Sequence, residues 1–476
     1  MTIYHVPFAH LRDGLARDVR LVEEDGRWVE VTANASPRDG LSGGSTAGGP
    51  SGGTPSGVSS DDASSDDVIR LDGVALPGFA NCHSHAFHRA LRGRTHDDGG
   101  TFWMWRERMY RVAAQLDPST YLALARAVYA EMALAGVTAV GEFHYVHHRP
   151  DGTPYDDPNA MGSALRQAAR EAGIRFTLLD TCYLHGGLDT DGHAAMSAEQ
   201  RRFSNGSVDA WARRHAQLRE DALSDENTVV GAAIHSVRAV ARDELADVVA
   251  ATPGEILHAH VSEQPAENAA ALAHYQRTPV GLLHEAGALS ERFSAVHATH
   301  LSDDDVSTLA RAGATACFCP TTERDLADGI GPAVALHDAG ARLSLGSDQH
   351  AVIDMFEEAR GLEMHERLTS NERGRLSPRD LLAAATRHAS IGWPDAGEIV
   401  IGARADLVVV EAESLRTAGC SPDQILLAAI AQDVTDVIVD GRVVVRGGRH
   451  RLEETLAPGG IGRLLHDAID PFWRQT

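Results

Sequence analysis

The chain has 476 residues, 43% of them hydrophobic, and sets 67 acidic side chains against 43 cationic ones, a formal charge of −24. All of those cations are arginine, because the sequence contains no lysine. This excludes a P-loop, pyridoxal or Schiff-base chemistry and a lysine-dependent kinase, and the charge argues against a nucleic-acid partner. No apolar run reaches bilayer length and no basic stretch leads into an apolar one, so a cytoplasmic protein without membrane contact is expected. The five scattered cysteines fit reduced thiols. In chain order, residues 18–31 predict a hairpin turning at Asp25-Gly26. Residues 36–67 hold eight glycines, many Ser and Asp, and almost nothing apolar, the composition of a flexible surface insertion. Residues 68–76 predict one strand. From Pro77 to Trp393, strand runs alternate with helical patterns. The first run enters His83; the others cover 137–143, 176–179, 229–234, 256–260, 295–297, 314–318 and 343–345. An amphipathic helix over 121–135 opens at Asp117-Pro118-Ser119 and closes at Gly136. Eight such units predict an α/β fold, a (β/α)8 TIM-like barrel. A doubly wound sheet also alternates, but no GxGxxG follows the first strand. Residues 405–410 and 436–445 predict further strands, the second pair turning at Asp440-Gly441. Segments 1–76 and 394–476, the latter with a terminal helix, are therefore expected to form a small β-sandwich domain from both termini, around a barrel of 77–393.

Barrel chemistry sits at C-terminal strand ends. The first strand ends Cys82-His83-Ser84-His85, and two imidazoles two residues apart project to one side of an extended chain. The fifth ends His258-Ala259-His260, the sixth Val296-His297 and the eighth Ser347-Asp348. Each piece alone is weak in a chain with 25 histidines. Together, His83, His85, His260 and Asp348 make a His₃Asp donor set. Imidazole nitrogen and carboxylate oxygen suit one Zn²⁺, and Fe²⁺ or Mn²⁺ accept the same donors. A position left for water would make such a site catalytic. Cys317 and Cys319 read as packing residues sharing a strand face. His144, His147 and His148 read as loop-shaping, His300 and His350 as hydrogen-bonding groups near the site, and Trp103 and Trp105 as pocket wall or core.

In this order of motifs the sequence resembles the amidohydrolase superfamily. That resemblance implies the same barrel, with a β domain from both termini. Many members bridge two metals with a carbamylated lysine. A chain without lysine cannot, which points to the mononuclear branch, where deaminases are common. Those carry HxxE after strand five, here His260 to Glu263, with the glutamate shuttling protons. Stretches 102–111, 142–148 and 234–240 resemble the formimidoylglutamate deiminases within that branch. The implied activity is hydrolysis of N-formimidoyl-L-glutamate to N-formyl-L-glutamate and ammonia, a step of histidine degradation. Arg106, Tyr145 and Arg238 would then hold the two substrate carboxylates, with His88 standing where the family usually has Gln. Glu263 would move a proton, His297 would orient the nucleophile, and Asp348 would be both ligand and proton acceptor. Without the resemblance, Arg106 fits a surface ion pair and Tyr145 a core aromatic. Segment 323–327, Glu-Arg-Asp-Leu-Ala, departs from the family's turn after strand seven. The implied partner is a small anionic dicarboxylate, and the implied assembly a homodimer. Two other readings stand beside this one. The first is another mononuclear deaminase acting on a purine, pyrimidine or related amidine. The second is a non-catalytic amidohydrolase-like scaffold, although such proteins usually lose ligands that this chain retains.

Overall fold

The computed structural model describes residues 1–35, 68–96 and 102–474. The expected insertion at 36–67 and the Trp103 side chain lie outside the described residues. β1 (Thr2–Leu11), β2 (Gly14–Glu24) and β3 (Arg27–Thr32) form an antiparallel meander. Its second turn is Asp25-Gly26, with φ of 52° and 79°, the left-handed pair that a two-residue hairpin requires. Glu23 fastens the turn by accepting the Gly26 N–H at 2.8 Å.

β4 (Val68–Arg70) and β5 (Val74–Leu76) both pair parallel with β1. The single strand expected over 68–76 is therefore broken. Gly73 lies at the break with φ 135°, and a Cβ there would collide with the Val410 carbonyl oxygen. Only glycine admits that approach.

The barrel follows. Its strands are β6 (Phe79–Ser84), β7 (Val137–His144) and β8 (Arg175–Cys182). A short hairpin, β9 (Gly187–Asp189) with β10 (Gly192–Ala194), is inserted next. β11 (Thr228–Ile234), β12 (Leu257–Val261), β13 (Phe293–His297), β14 (Thr315–Phe318) and β15 (Arg342–Leu345) complete it. The order is β6-β7-β8-β11-β12-β13-β14-β15, parallel throughout. A parallel bridge between Ser84 and Asp348 joins the two edges. There the Asp348 N–H donates to the His83 carbonyl at 3.0 Å, and the His85 N–H to the Asp348 carbonyl at 3.2 Å. The protein is thus an α/β (β/α)8 barrel, built from the eight expected strands. α1 (Phe102–Ala113) and α2 (Pro118–Leu134) fill the connection from β6 to β7. Asp117 caps α2 by accepting the Ser119 and Thr120 N–H groups, and Pro118 opens its first turn.

β16 (Leu407–Val410), β17 (Val434–Val439), β18 (Arg442–Arg446) and β19 (Arg449–His450) join the N-terminal strands. The result is one mixed sheet of nine, ordered β19-β18-β17-β16-β5-β1-β2-β3, with β4 on β1. Both termini therefore build the small β part, around a core that includes Tyr4, Val6, Trp28, Leu407 and Ile438. Arg175, fully buried at the start of β8, pins it to the barrel. It donates to Asp406 at 2.7 Å and to Asp440 at 3.0 Å. This contact occupies the N-terminal strand ends and leaves the C-terminal ends to build a site. No helix among the described residues is long and apolar enough to cross a membrane.

Candidate active site

At the C-terminal strand ends the backbone leaves the extended region. Ser262, His297, Ala298, Asp348 and His350 have φ of 52°, 67°, 50°, 42° and 59°. Non-glycine residues are uncommon there, and such strain persists only where the surroundings over-determine it. It accompanies a convergence of side chains from β6, β12, β13 and the end of β15.

His83, His85, His260, His297 and Asp348 are all buried. The Asp348 Oδ1 atom lies 3.3 Å from His83 Nε2 and 3.4 Å from His85 Nε2. His260 Nε2 lies 3.2 Å from His83 Nε2, and His297 Nε2 lies 3.8 Å from Asp348 Oδ2. The donor atoms of His83, His85 and Asp348 all fall within 4.8 Å of one another, as do those of His83, His260 and His297.

This set fits a divalent metal ion. His85 Nδ1 donates to the Phe143 carbonyl at 2.8 Å, and His260 Nδ1 donates to the His235 carbonyl at 2.9 Å. Each carbonyl holds the proton on Nδ1, so each Nε2 turns a lone pair inward. Lone pairs facing a carboxylate and one another repel unless a cation sits among them. Burial pushes His83 down to about 3, despite the nearby Asp348, and also lowers His85 and His260. All three are thereby neutral imidazoles, the form that binds metal. Burial would raise the Asp348 carboxyl, but a hydrogen bond from His83 and the charge of His297 outweigh it and hold it below the usual carboxylate range.

Beside the cluster opens a cavity of about 120 Å³. Its walls include His85, His260 and Asp348 from the cluster, Arg106 and Tyr110 from α1, and Glu263 and Arg238. The structure thus brings most of the expected site residues to one cavity. His83 lies fully buried beside it. His88 and Tyr145 share a wall, with His88 Nε2 3.0 Å from the Tyr145 hydroxyl. Arg106 Nε donates to the Tyr110 hydroxyl at 2.7 Å. Arg238 donates to Glu263 at 2.6 Å. Burial opposes the Arg238 charge, but Glu267 and Glu263 reverse that and fix the guanidinium as a cation. His297 also lines the cavity and lies 3.6 Å from Glu323. Burial lowers it, yet Glu323, Glu263 and Asp348 together push it up to about 10.

The other expectations resolve locally. His300 Nε2 donates to the Asp328 carbonyl at 2.7 Å, and His350 lies 2.8 Å from Ser347 Oγ. His147 Nε2 donates to the Thr181 carbonyl at 2.9 Å, inside a loop whose His147 and His148 N–H groups donate to the Arg202 carbonyl. Trp105 is a buried wall residue. Cys317 and Cys319 pack with Ala80, Cys82 and Trp393. The Cys319 thiol also falls within 4.8 Å of His297 and Asp348 donor atoms, closer to the site than a packing role required. Of the departing segment 323–327, Glu323 reaches His297 and Leu326 lines the cavity.

Several site residues were not singled out from sequence. His235 follows β11 as the other histidines follow their strands, so its position carried a signal. Tyr183, Tyr110 and Phe203 carried none beyond being aromatic. Glu267, four residues after Glu263 on the helix Pro265–Tyr275, is buried and accepts the Glu263 N–H at 3.1 Å.

The fold and the His/Asp cluster define a barrel hydrolase, and the chain belongs to the amidohydrolase family, whose model matches residues 74–444. It is a hydrolytic enzyme of C–N bonds. It is 40% identical over 412 residues to the formimidoylglutamate deiminase of Pseudomonas aeruginosa, covering 83% of this chain and 89% of that one. Among solved structures, an amidohydrolase from Brucella melitensis superposes with a TM-score of 0.85 at 33% identity, covering 99% of this chain and 100% of that one. An adenosine deaminase from Xanthomonas campestris with bound zinc superposes at 0.78, covering 98% and 97%, and at 22% identity that likeness concerns the fold.

Proposed function

We propose that this chain hydrolyses N-formimidoyl-L-glutamate to N-formyl-L-glutamate and ammonia, in histidine degradation. The observation that carries this is one cavity holding both Arg106 and Arg238 beside the His/Asp cluster. The 40% identity to a formimidoylglutamate deiminase supports it. The planar guanidinium fork matches carboxylate geometry. Two arginines in one small cavity suit a substrate with two carboxylates, whereas a neutral purine or pyrimidine has no use for them.

His83, His85, His260 and Asp348 would hold one divalent cation, Zn²⁺ by donor type. When bound there, the cation supplies the Lewis acidity that makes water a nucleophile near neutral pH. Asp348 takes the proton from the attacking water, and His297 orients that water. The water oxygen adds to the formimidoyl carbon. From the adduct of water with the cationic amidinium, Glu263 takes the hydroxyl proton and delivers it to the terminal nitrogen; the carbonyl forms as the C–N bond to that nitrogen breaks, ammonia leaves, and Asp348 gives its proton up to solvent. Arg106 and Arg238 hold the substrate carboxylates, with Tyr145 and His88 as a hydrogen-bonded pair beside them. His88 titrates where glutamine would not, but burial keeps it well below its ordinary value, so it stays neutral at physiological pH.

The test is ammonia release by metal-loaded enzyme from N-formimidoyl-L-glutamate and N-formimidoyl-L-aspartate side by side, with guanine, adenosine and cytosine as comparators. Turnover of the glutamate derivative above all others is expected. Preference for a heterocycle would replace this function with another deaminase activity. Purified protein without bound metal would revive the scaffold alternative.

A further inference from the structure

Arg238 is already occupied. Its Nη2 donates to Glu263 Oε2 at 2.6 Å, its Nε donates to Ser236 Oγ at 3.3 Å, and that Nε lies 3.9 Å from Glu267 Oε1. Glu267 is walled in, with no side-chain exposure, and its other oxygen is tied to the Glu263 N–H at 3.1 Å. A substrate carboxylate that takes the guanidinium fork needs the Nη2 edge that Glu263 now holds. With Nε facing Ser236 and Glu267, a carboxylate gripping the remaining Nη1–Nη2 edge competes with Glu263 for Nη2, while Glu267 remains beside Nε as the buried counter-charge.

We propose that Arg238 and Glu263 form a latch that the substrate's own carboxylate opens, releasing Glu263 to the reacting amidine. This deepens the deiminase function proposed above and rests on it. The carboxylate then contributes to turnover as well as to binding. An amidine without a carboxylate enters the same cavity but leaves Glu263 latched, so it is discriminated against at the chemical step. The pair is a specificity device that a simple carboxylate clamp would lack.

The experiment uses metal-loaded wild type, Arg238→Met and the double variant Arg238→Met/Glu263→Gln, matched in metal content and melting temperature. Two substrates are compared, N-formimidoyl-L-glutamate and the carboxylate-free N-butylformamidine. Arg238→Met is expected to lower kcat/KM for the dicarboxylate and to raise kcat for N-butylformamidine by roughly tenfold, the scale on which a partly buried charge pair couples. The double variant should lose that gain. Because Arg238→Met also removes a positive charge facing a cationic amidine, a gain confined to KM would overturn the latch. So would no gain at all, or a gain surviving in the double variant. A second readout needs no turnover. N-formyl-L-glutamate added to wild type should shift an infrared carboxylate band that Glu263→Gln lacks, and an unmoved band overturns the latch. Wild type that releases no ammonia from N-formimidoyl-L-glutamate overturns the proposed function and the latch with it. Ammonia from wild type without the kcat gain in Arg238→Met overturns the latch alone.

Discussion

Replacing Glu263 with glutamine should move kcat and KM in the same downward direction for different reasons. Gln keeps the volume and can still accept from Arg238, but it neither carries a negative charge nor delivers a proton. General acid–base assistance is worth roughly 10²–10⁴-fold, or about 3–5 kcal/mol of barrier, so kcat should fall by that factor. The Arg238 and Glu263 side chains are 23% and 11% exposed, so their pair is only partly screened. A hydrogen bond to a charged group contributes about 1.5–3 kcal/mol, and a neutral amide keeps part of that. Returning about 1 kcal/mol of it to the substrate carboxylate lowers KM roughly fivefold. The proposed donor set His83, His85, His260 and Asp348 is untouched, so metal content should equal that of wild type. The assay is ammonia release across a substrate series, with metal measured on the same preparation. A kcat within a factor of three of wild type, at full metal content, would remove Glu263 from proton transfer.

Three further outcomes are expected. Arg238→Ala should lower kcat/KM for N-formimidoyl-L-glutamate at least about a hundredfold, since a buried charge pair loses 2–5 kcal/mol on truncation; an unchanged value would place the carboxylates elsewhere. His260→Ala should bind less metal in equilibrium dialysis while retaining its far-ultraviolet circular dichroism, and stoichiometric metal in that variant would remove His260 from the ligand set. His215, buried on the helix Val208–Ala222, lies 3.1 Å from Asp180 and 2.8 Å from Glu255. Burial opposes its charge, but those two carboxylates push it up to about 9. Its folded value exceeds the unfolded value of about 6.5, so the stability it contributes is complete below pH 6.5 and lost as pH rises through 9. The amount is about 3 kcal/mol. Urea unfolding of wild type between pH 6 and 10 should show that loss and His215→Gln should not; parallel profiles would show that the ring is not charged in the fold.

The barrel was legible because parallel strands buried on both faces write themselves as continuous apolar runs. β6, β7, β8, β12, β13 and β14 are buried at every position. The hairpins were legible because Asp25-Gly26 and Asp440-Gly441 state their left-handed turns locally. The break in 68–76 was not, because it depends on the Val410 carbonyl more than three hundred residues away. The metal-type donors were legible because they lie at the C-terminal ends of strands, and a barrel gathers all such ends on one face. What the sequence hid was the environment of those side chains. Nothing local indicates that the His235 carbonyl orients His260, that Glu323 approaches His297, or that Arg238 is held by two glutamates. Each of these joins residues on different strand ends, and their relation exists only once the barrel closes.

The charge of −24 acquires a local meaning in this setting. Glu263, Glu267, Glu323 and Asp348 crowd the site, and each is matched with a cation or a histidine within about 4 Å. The arginines of the cavity are therefore not simple attractors. Arg238 stands in balance between internal carboxylates, so a ligand engages it only by exchange. An incoming carboxylate makes that exchange nearly neutral in charge, replacing one anion by another on the same guanidinium. A neutral ring leaves the Arg238–Glu263 pair closed, and freeing Glu263 without an anion to replace it on the guanidinium would cost several kcal/mol. Under the proposed function, the acidic surroundings would thus sharpen discrimination for anionic substrates by penalising turnover of every ligand that cannot substitute for Glu263.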